Sequence, residues 1–331
     1  MLNVALFGFG RIGQMHAKNI YKNKNLRLFS VYEKLAILQK KAKKLYNCKI
    51  ENNYNNIFTN KNVDIIFISS PTNTHIKFIE QGIKSKKTIF CEKPLDLDIK
   101  KIMKTLTIVR KKKPKIILGF NRRYDPGHHS LKKDLDKNKI GRLEKIIITS
   151  RDPGPPSKKY LEASGGIFRD MMIHDFDLCR YYLGNDEISE ISATTSSFET
   201  LYKRINDDEL ATVTMKSKKG VICIISNSRH CSFGMDQRVE LFGKNGMLIS
   251  GNKKVNATEI FNSSQTQAQK PNLNFFIERY NESYDLQLKE LISLHKKNIK
   301  PRSSFFDGYI AQKIANAAYL SLRQKKVIKL K

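Results

Sequence analysis

The feature that most constrains this chain is Gly8-Phe-Gly10-Arg-Ile-Gly13. It follows the apolar run Asn3-Val-Ala-Leu-Phe7 directly and opens a helical stretch at about 11–22. A G-x-G-x-x-G segment between a buried strand and a helix is shaped for the pyrophosphate of a dinucleotide. Gly8 permits the tight turn, and Gly10 lets the backbone approach the phosphates, which a helix N-terminus attracts. Gly13 lets the helix pack close to the strand. Gly8, Gly10, Arg11, Ile12 and Gly13 are therefore expected to hold a dinucleotide. A second strand, Leu26 to Glu33, ends on a carboxylate 20 residues after Gly13. That is the place for an acid that binds the adenosine ribose hydroxyls and repels a 2′-phosphate, which favours NAD over NADP. The neighbouring Lys34 argues the other way, and an ordinary solvated glutamate after a strand is the alternative reading.

The pattern then alternates. Helical periodicity at 35–46 leads to Val63-Asp-Ile-Ile-Phe-Ile-Ser-Ser70, a near-continuous apolar strand of the kind buried in parallel sheets. Pro71-Thr-Asn-Thr-His75 opens a helix at about 74–86, and Thr88–Cys91 is a strand ended by Glu92-Lys93-Pro94. A helix at about 98–112 and a strand at Lys115–Phe120 follow. Strands alternating with helices give a doubly wound parallel sheet, whose ligands lie at the carboxyl ends of its strands. Ser70, Pro71, Thr72, Asn73, His75, Glu92 and Lys93 fall at such ends and join the expected cofactor set.

Past Tyr124 the character changes. A helix near 128–138, a strand at Glu144–Thr149 and the rigid loop Arg151-Asp-Pro-Gly-Pro-Pro156 precede one helix that ends near Gly184. Strands are expected at about 188–198, 209–216, 220–228 and 236–242, a loop at 252–272, and long helices at Phe275–Lys297 and Phe305–Gln324. This reads as an open, mostly antiparallel sheet with a helix on one face. The expected division is a dinucleotide-binding domain over 1–122 and a substrate-binding and oligomerisation domain over 123–331. On the helix ending near Gly184, Asp170 and His174 are four apart, so both face the same side. A carboxylate beside an imidazole can fix its tautomer, which makes His174 a plausible general base for an alcohol proton. Taken alone, the pair is equally well a packed helix whose histidine bonds a neighbour.

The formal charge is +30, which raises the question of nucleic acid. The lysines, however, are spread along nearly the whole chain and travel with many Asn and Ile residues, so no nucleic-acid partner is expected. The charge should still attract a pyrophosphate. No apolar run is long enough to span a membrane, and the N-terminus lacks the basic region of a secretory signal. Five cysteines without a C-x-x-C pair read as reduced thiols of a cytoplasmic protein, and no metal site is expected.

Several motifs in this order resemble the glucose–fructose oxidoreductase, inositol dehydrogenase and rhizopine-catabolism (Gfo/Idh/MocA) family. They are G-x-G-x-x-G, Phe90-Cys-Glu-Lys-Pro-Leu95, Gly119-Phe-Asn-Arg-Arg-Tyr-Asp125, Ser150-Arg-Asp-Pro153, Ser164–Asp177 and Phe306-Asp-Gly-Tyr309. The resemblance spans essentially the whole chain. It implies an α/β protein: an N-terminal Rossmann domain, then an α/β domain whose open sheet face makes a homodimer or homotetramer. It implies NAD-dependent oxidation of a secondary hydroxyl of a cyclic polyol, with myo-inositol to 2-keto-myo-inositol first. A related sugar dehydrogenase and a non-catalytic sugar sensor are the alternatives. By the same resemblance Lys93 polarises the substrate oxygen, His174 takes the hydroxyl proton and Asp170 orients it. Arg123, Asp152 and Tyr284 match positions that contact polyol hydroxyls, and Pro94 is expected to follow a cis peptide. One departure stands out: Phe233-Gly-Met-Asp236 replaces a Tyr-Gly-Tyr-Asp often seen in the family's inositol-oxidising members, which puts the stereoisomer in question.

Overall fold

A computed structural model describes residues 1–297 and 299–330. Lys331, the last residue of the expected second domain, and Asn298 lie outside the described residues. The chain runs β1 (Leu2–Phe7), α1 (Arg11–Lys22), β2 (Leu26–Tyr32), α2 (Ala36–Tyr46), β3 (Lys49–Glu51), α3 (Asn55–Thr59), β4 (Ile65–Ile68), α4 (His75–Lys84), β5 (Thr88–Cys91), α5 (Ile99–Lys112) and β6 (Ile116–Leu118). It continues through α6 (Pro126–Asp136), β7 (Leu143–Arg151), α7 (Lys158–Ser164), α8 (Ile167–Asp170), α9 (Ile173–Leu183), β8 (Ile188–Ser196), α10 (Thr200–Ile205), β9 (Leu210–Ser217), β10 (Ile222–Ser228), β11 (Asp236–Gly243) and β12 (Gly246–Ser250). The remainder is β13 (Glu259–Ile260), β14 (Ala268–Gln269), α11 (Phe276–Arg279), α12 (Asn281–Lys296), α13 (Phe305–Gln324) and β15 (Ile328–Lys329). Two compact units emerge. The first is Met1–Tyr124 with Glu282–Gln312, and the second is Asp125–Asn281 with the chain from Lys313 onward. A single cut at 122/123 would leave Glu282–Gln312 in the second unit, whereas α12 packs its Leu288, Leu291, Ile292 and Leu294 into the apolar core of the first.

The first unit is a six-stranded parallel sheet in the order β3-β2-β1-β4-β5-β6. Its central strands β4 and β5 are buried throughout and, Thr88 apart, apolar, as a sheet covered on both faces requires. The order turns around between β1 and β4, so the turns after these two strands flank the switch point where ligands of such sheets bind. Short β3 and α3 occupy a stretch for which the sequence suggested nothing.

The second unit carries a seven-stranded sheet, β12-β11-β7-β10-β9-β8-β15. β7 and β10 run parallel and every other neighbouring pair is antiparallel. Along β9 the buried residues Ala211, Val213, Met215 and Ser217 alternate with exposed ones, the mark of a sheet with one covered face. The covering layer includes α9, which buries Ile173, Phe176, Leu178 and Cys179. All five cysteines are free and buried. Among the described residues no helix is long and apolar enough to cross a membrane.

Three elements differ from expectation. The single helix expected to carry Asp170 and His174 is two: α8 ends at Asp170 and α9 starts at Ile173. At the join the Met172 N–H reaches back five residues to the Ile167 carbonyl, and the Asp175 N–H only three, to Met172, so the regular ladder is interrupted. The helix expected over 275–297 breaks at Tyr280, where the buried Arg279 is drawn onto Asp125 Oδ2 at 2.6 Å. Within the loop expected at 252–272, β13 and β14 form a two-residue antiparallel ribbon.

Candidate active site

In the first unit the glycine turn is built as its chemistry demands. Gly8 has φ 87°, and a Cβ there would lie 2.7 Å from Ser70 Cα, so the turn after β1 runs against the turn after β4. A Cβ at Gly13 would collide with the Gly8 carbonyl. At Gly10 nothing lies within 4 Å of the position a Cβ would take, and no side chain caps the start of α1. That leaves open space beside the helix end that attracts anions. Glu33 follows β2 with its carboxylate fixed by backbone. Oε2 accepts the Phe9 N–H at 2.7 Å, and Oε1 accepts those of Lys34 at 2.7 Å and Leu35 at 3.0 Å. An ionised carboxylate has about four acceptor sites, so ribose hydroxyls can be bound as well. The open side of Gly10 and this anchored acid fit NAD.

The turn after β4 is tied by hydroxyls: Ser70 Oγ lies 2.6 Å from Thr74 Oγ1, which donates to the Pro71 carbonyl at 2.7 Å. Thr72 and Asn73 form the short helical turn that leads into α4. His75, 1% exposed, sits behind this turn rather than on its surface. Its Nδ1 is 2.8 Å from the Pro94 carbonyl and its Nε2 is 2.8 Å from the Ser70 carbonyl. A neutral imidazole has one N–H to donate to this pair of acceptors. Burial pushes the His75 pKa down, against the two carbonyls and the charges of Glu92 and Asp96.

Beyond β5 come Glu92, the half-buried Lys93 and a cis Lys93–Pro94 peptide. Glu92 Oε1 accepts from His16 Nε2 at 2.7 Å. A Cβ at Gly119 would lie 2.6 Å from Glu92 Oε2, so β6 closes on the same carboxylate. Tyr284 of α12 is buried, edge-on to the His16 ring at 5.6 Å. Arg123 is buried too: it donates to the Arg302 carbonyl and to Asp307 Oδ1 at 3.0 Å, so two of the family-like motifs meet at this pair.

In the second unit Asp170 is 8% exposed. Tyr160 donates to its Oδ1 at 2.7 Å, and Arg229 NH1 lies 3.5 Å from its Oδ2. Arg229, 1% exposed, also pairs with Asp207 Oδ2 at 2.9 Å. Asp207 in turn accepts the Ile167 N–H at 2.8 Å, anchoring the start of α8. A buried guanidinium shared by two carboxylates offsets the desolvation of all three groups. His174 is half-buried in the first turn of α9. Asp152 follows β7, its N–H donated to Ser228 at 2.9 Å. In the departing Phe233-Gly-Met-Asp236 segment, Phe233 is 48% exposed and Met235 3%. Gly234 has φ 93°, with the Asn272 carbonyl 2.5 Å from where a Cβ would sit.

Sequence reasoning missed His16, Tyr160, Asp207 and Arg229. Only His16 left a trace: a histidine among the inward-facing Met15, Ala17 and Ile20 of α1. The partners of Asp170 are 10 and 59 residues away, separations at which no periodicity operates.

Comparison with known proteins agrees with this architecture. Residues 2–120 match an oxidoreductase-family profile described as an NAD-binding Rossmann fold, and residues 128–249 match the GFO/IDH/MocA C-terminal domain. The chain is 35% identical over 325 residues to the inositol 2-dehydrogenase of Rhizobium meliloti, covering 98% of each. It superposes on a crystal structure of a myo-inositol dehydrogenase from Corynebacterium glutamicum with TM-score 0.94 and 35% identity, over 100% of this chain and 99% of that one. A scyllo-inositol dehydrogenase from Lactobacillus casei, solved with NAD(H) and scyllo-inositol, superposes with TM-score 0.93 at 25% identity, over 99% of each. With both halves of the chain matched and the dinucleotide turn, anchored acid and Glu-Lys-Pro motif in place, the chain belongs to the Gfo/Idh/MocA family of NAD-dependent oxidoreductases.

Proposed function

We propose that the chain oxidises a secondary hydroxyl of a cyclic polyol with NAD, as an inositol 2-dehydrogenase converting myo-inositol to 2-keto-myo-inositol. One observation carries the reading: Glu92-Lys-Pro94 and Asp170-x-x-x-His174 occur in a chain that is like an inositol 2-dehydrogenase over 98% of its length. Bound NAD is the hydride acceptor. Lys93 donates a hydrogen bond to the reacting oxygen and stabilises the negative charge that develops there. His174 takes the hydroxyl proton, a contribution of typically ~10²–10⁴-fold for a positioned base. Asp170, beside the Arg229 cation, orients His174. The carbon's hydrogen departs with its electron pair, the hydroxyl proton goes to His174, and the carbon–oxygen bond becomes a carbonyl. In the same reading Arg123, Asp152 and Tyr284 hydrogen-bond other ring hydroxyls.

The test is NADH formation across a panel of inositol isomers and hexoses. Turnover of myo-inositol is expected, with a loss of at least ~10²-fold in Lys93→Met and His174→Ala. No turnover of any inositol would overturn the substrate assignment. Phe233 and Met235 favour a second reading in which scyllo-inositol or another isomer is preferred. Two side chains without hydroxyls stand where relatives often carry tyrosines, and a polar site lacking a partner discriminates differently by large factors.

We also assign a homodimer or homotetramer formed through the uncovered face of the second sheet. Phe242 lies opposite Met247, and Ile249 lies opposite Glu240 on the same face. Phe242, Met247, Ile249 and Ile222 are all exposed there, with Lys145 between Phe242 and Ile222, an apolar patch edged by charge that suits burial against a second copy. Light scattering in solution checks it.

A further inference from the structure

The Glu92–Lys93–Pro94 turn is held at both ends by buried histidines. At the front, His16 Nε2 donates to Glu92 Oε1 at 2.7 Å from within a shell of Phe67, Phe90 and Tyr284 rings. Its Nδ1 is buried and has no hydrogen-bond partner among the described residues. A leucine would fill this apolar space without stranding a polar atom, which is unfavourable when buried. A histidine here therefore points to the Glu92 contact. At the back, His75 lies between the Pro94 and Ser70 carbonyls, 2.8 Å from each, and joins the end of the turn to the segment after β4. Gly119 closes the third side: a Cβ there would lie 3.0 Å from Glu92 Cα and 2.6 Å from its Oε2. Lys93 stands between these two held residues, its own N–H donated to Glu92 Oε2 at 3.3 Å.

We propose that His16 and His75 are positioning residues for Lys93, fixing the turn so that its ammonium group is presented at one place. This rests on the reading of Lys93 as the group that polarises the substrate oxygen. Displacing a catalytic group by about 1 Å costs up to ~10²-fold in rate, so the brace should appear in kcat more than in cofactor affinity.

The experiment compares His16→Leu, His16→Gln, His75→Leu, His75→Gln and Lys93→Met in the full chain. It measures kcat with the polyol turned over by the unaltered protein, the Kd for NADH by fluorescence, and the thermal midpoint. The leucine variants are expected to lose ~10–10²-fold in kcat while the NADH Kd changes by less than ~3-fold. The glutamine variants, which restore an N–H donor, should recover at least half of that loss on a logarithmic scale. Equal kcat in leucine variants and unaltered protein would overturn the proposal. So would equal losses in leucine and glutamine variants, or a loss that appears wholly as weakened NADH binding. If the leucine variants do not fold, the glutamine variants are compared with Glu92→Gln, which weakens the same contact without changing its shape. There the expectation is a kcat loss in Glu92→Gln that His16→Gln does not deepen, and additive losses would sink the idea. A fully active Lys93→Met would instead overturn the role of Lys93, leaving a separate and distinguishable result.

Discussion

Arg229 reaches both Asp170 and Asp207, with NH1 3.5 Å from one carboxylate and NH2 2.9 Å from the other. The cation and Asp170 are buried, and the Asp207 side chain is 5% exposed. Removing it leaves two carboxylates without the cation they share. Breaking a buried ion pair in this way typically destabilises by ~3–5 kcal/mol. Arg229→Met should therefore lower the thermal midpoint by several degrees, and adding Asp207→Asn should restore part of the loss because one stranded charge is gone. Differential scanning calorimetry on the single and double variants checks both signs.

The glycines of the dinucleotide turn differ in what limits them. Around Gly10 there is empty space, whereas a Cβ at Gly13 meets the Gly8 carbonyl. Gly10→Ala is expected to keep its thermal midpoint within about a degree and to weaken NADH binding by ~10-fold or more, because the methyl occupies the side from which phosphates approach. Gly13→Ala should lose both stability and binding. Paired melting curves and NADH titrations separate the two.

Glu33 is held by three backbone N–H groups, so its charge is aimed rather than free to swing away. A charge-assisted hydrogen bond is worth ~1.5–3 kcal/mol. Glu33→Ala should lower kcat/KM for NAD by ~10–10²-fold, following that energy. The preference for NAD over NADP should shrink with it, since the repulsion of a 2′-phosphate is lost. An unchanged NAD/NADP ratio would remove Glu33 from the ribose site.

His75 sets a pH limit. Burial pushes its pKa below the ordinary 6.5, so the folded state favours the neutral ring and the unfolded chain takes up a proton first. Its contribution to stability is full above about 6.5 and is lost as pH falls from there towards the lowered folded value. His295 is shifted in the same direction by burial. The thermal midpoint should therefore fall between pH 7 and pH 5, and His75→Gln should flatten part of that fall. Melting curves across this range in the two proteins give the difference attributable to His75.

Local signals in this chain were readable wherever a residue's role depends on its own stretch of backbone. Gly8 and Gly13 are legible because each answers a steric demand of one turn, whereas Gly10, with open space beside it, and Glu33, held by three backbone N–H groups, are marked only by their spacing from that turn. The apolar runs of β1, β4 and β5 declare a sheet buried on both faces, and alternation along β9 declares one covered on a single face. By contrast, α3, α10 and the two-residue strands are too short for periodicity to register. The break between α8 and α9 was invisible, because i, i+4 spacing describes a ladder and not its interruption.

By itself, then, the sequence determined the dinucleotide turn, the parallel sheet and the change to a mostly antiparallel one. Tertiary structure alone decided what surrounds those residues. That His16 bonds Glu92, that His75 joins Ser70 to Pro94 and that Arg229 joins Asp170 to Asp207 are contacts across 76 positions for His16, 19 and 5 for His75, and 59 and 22 for Arg229. Each pair is selected by burial: a polar group taken out of water must find a partner, and which partner is near is settled only when distant segments pack.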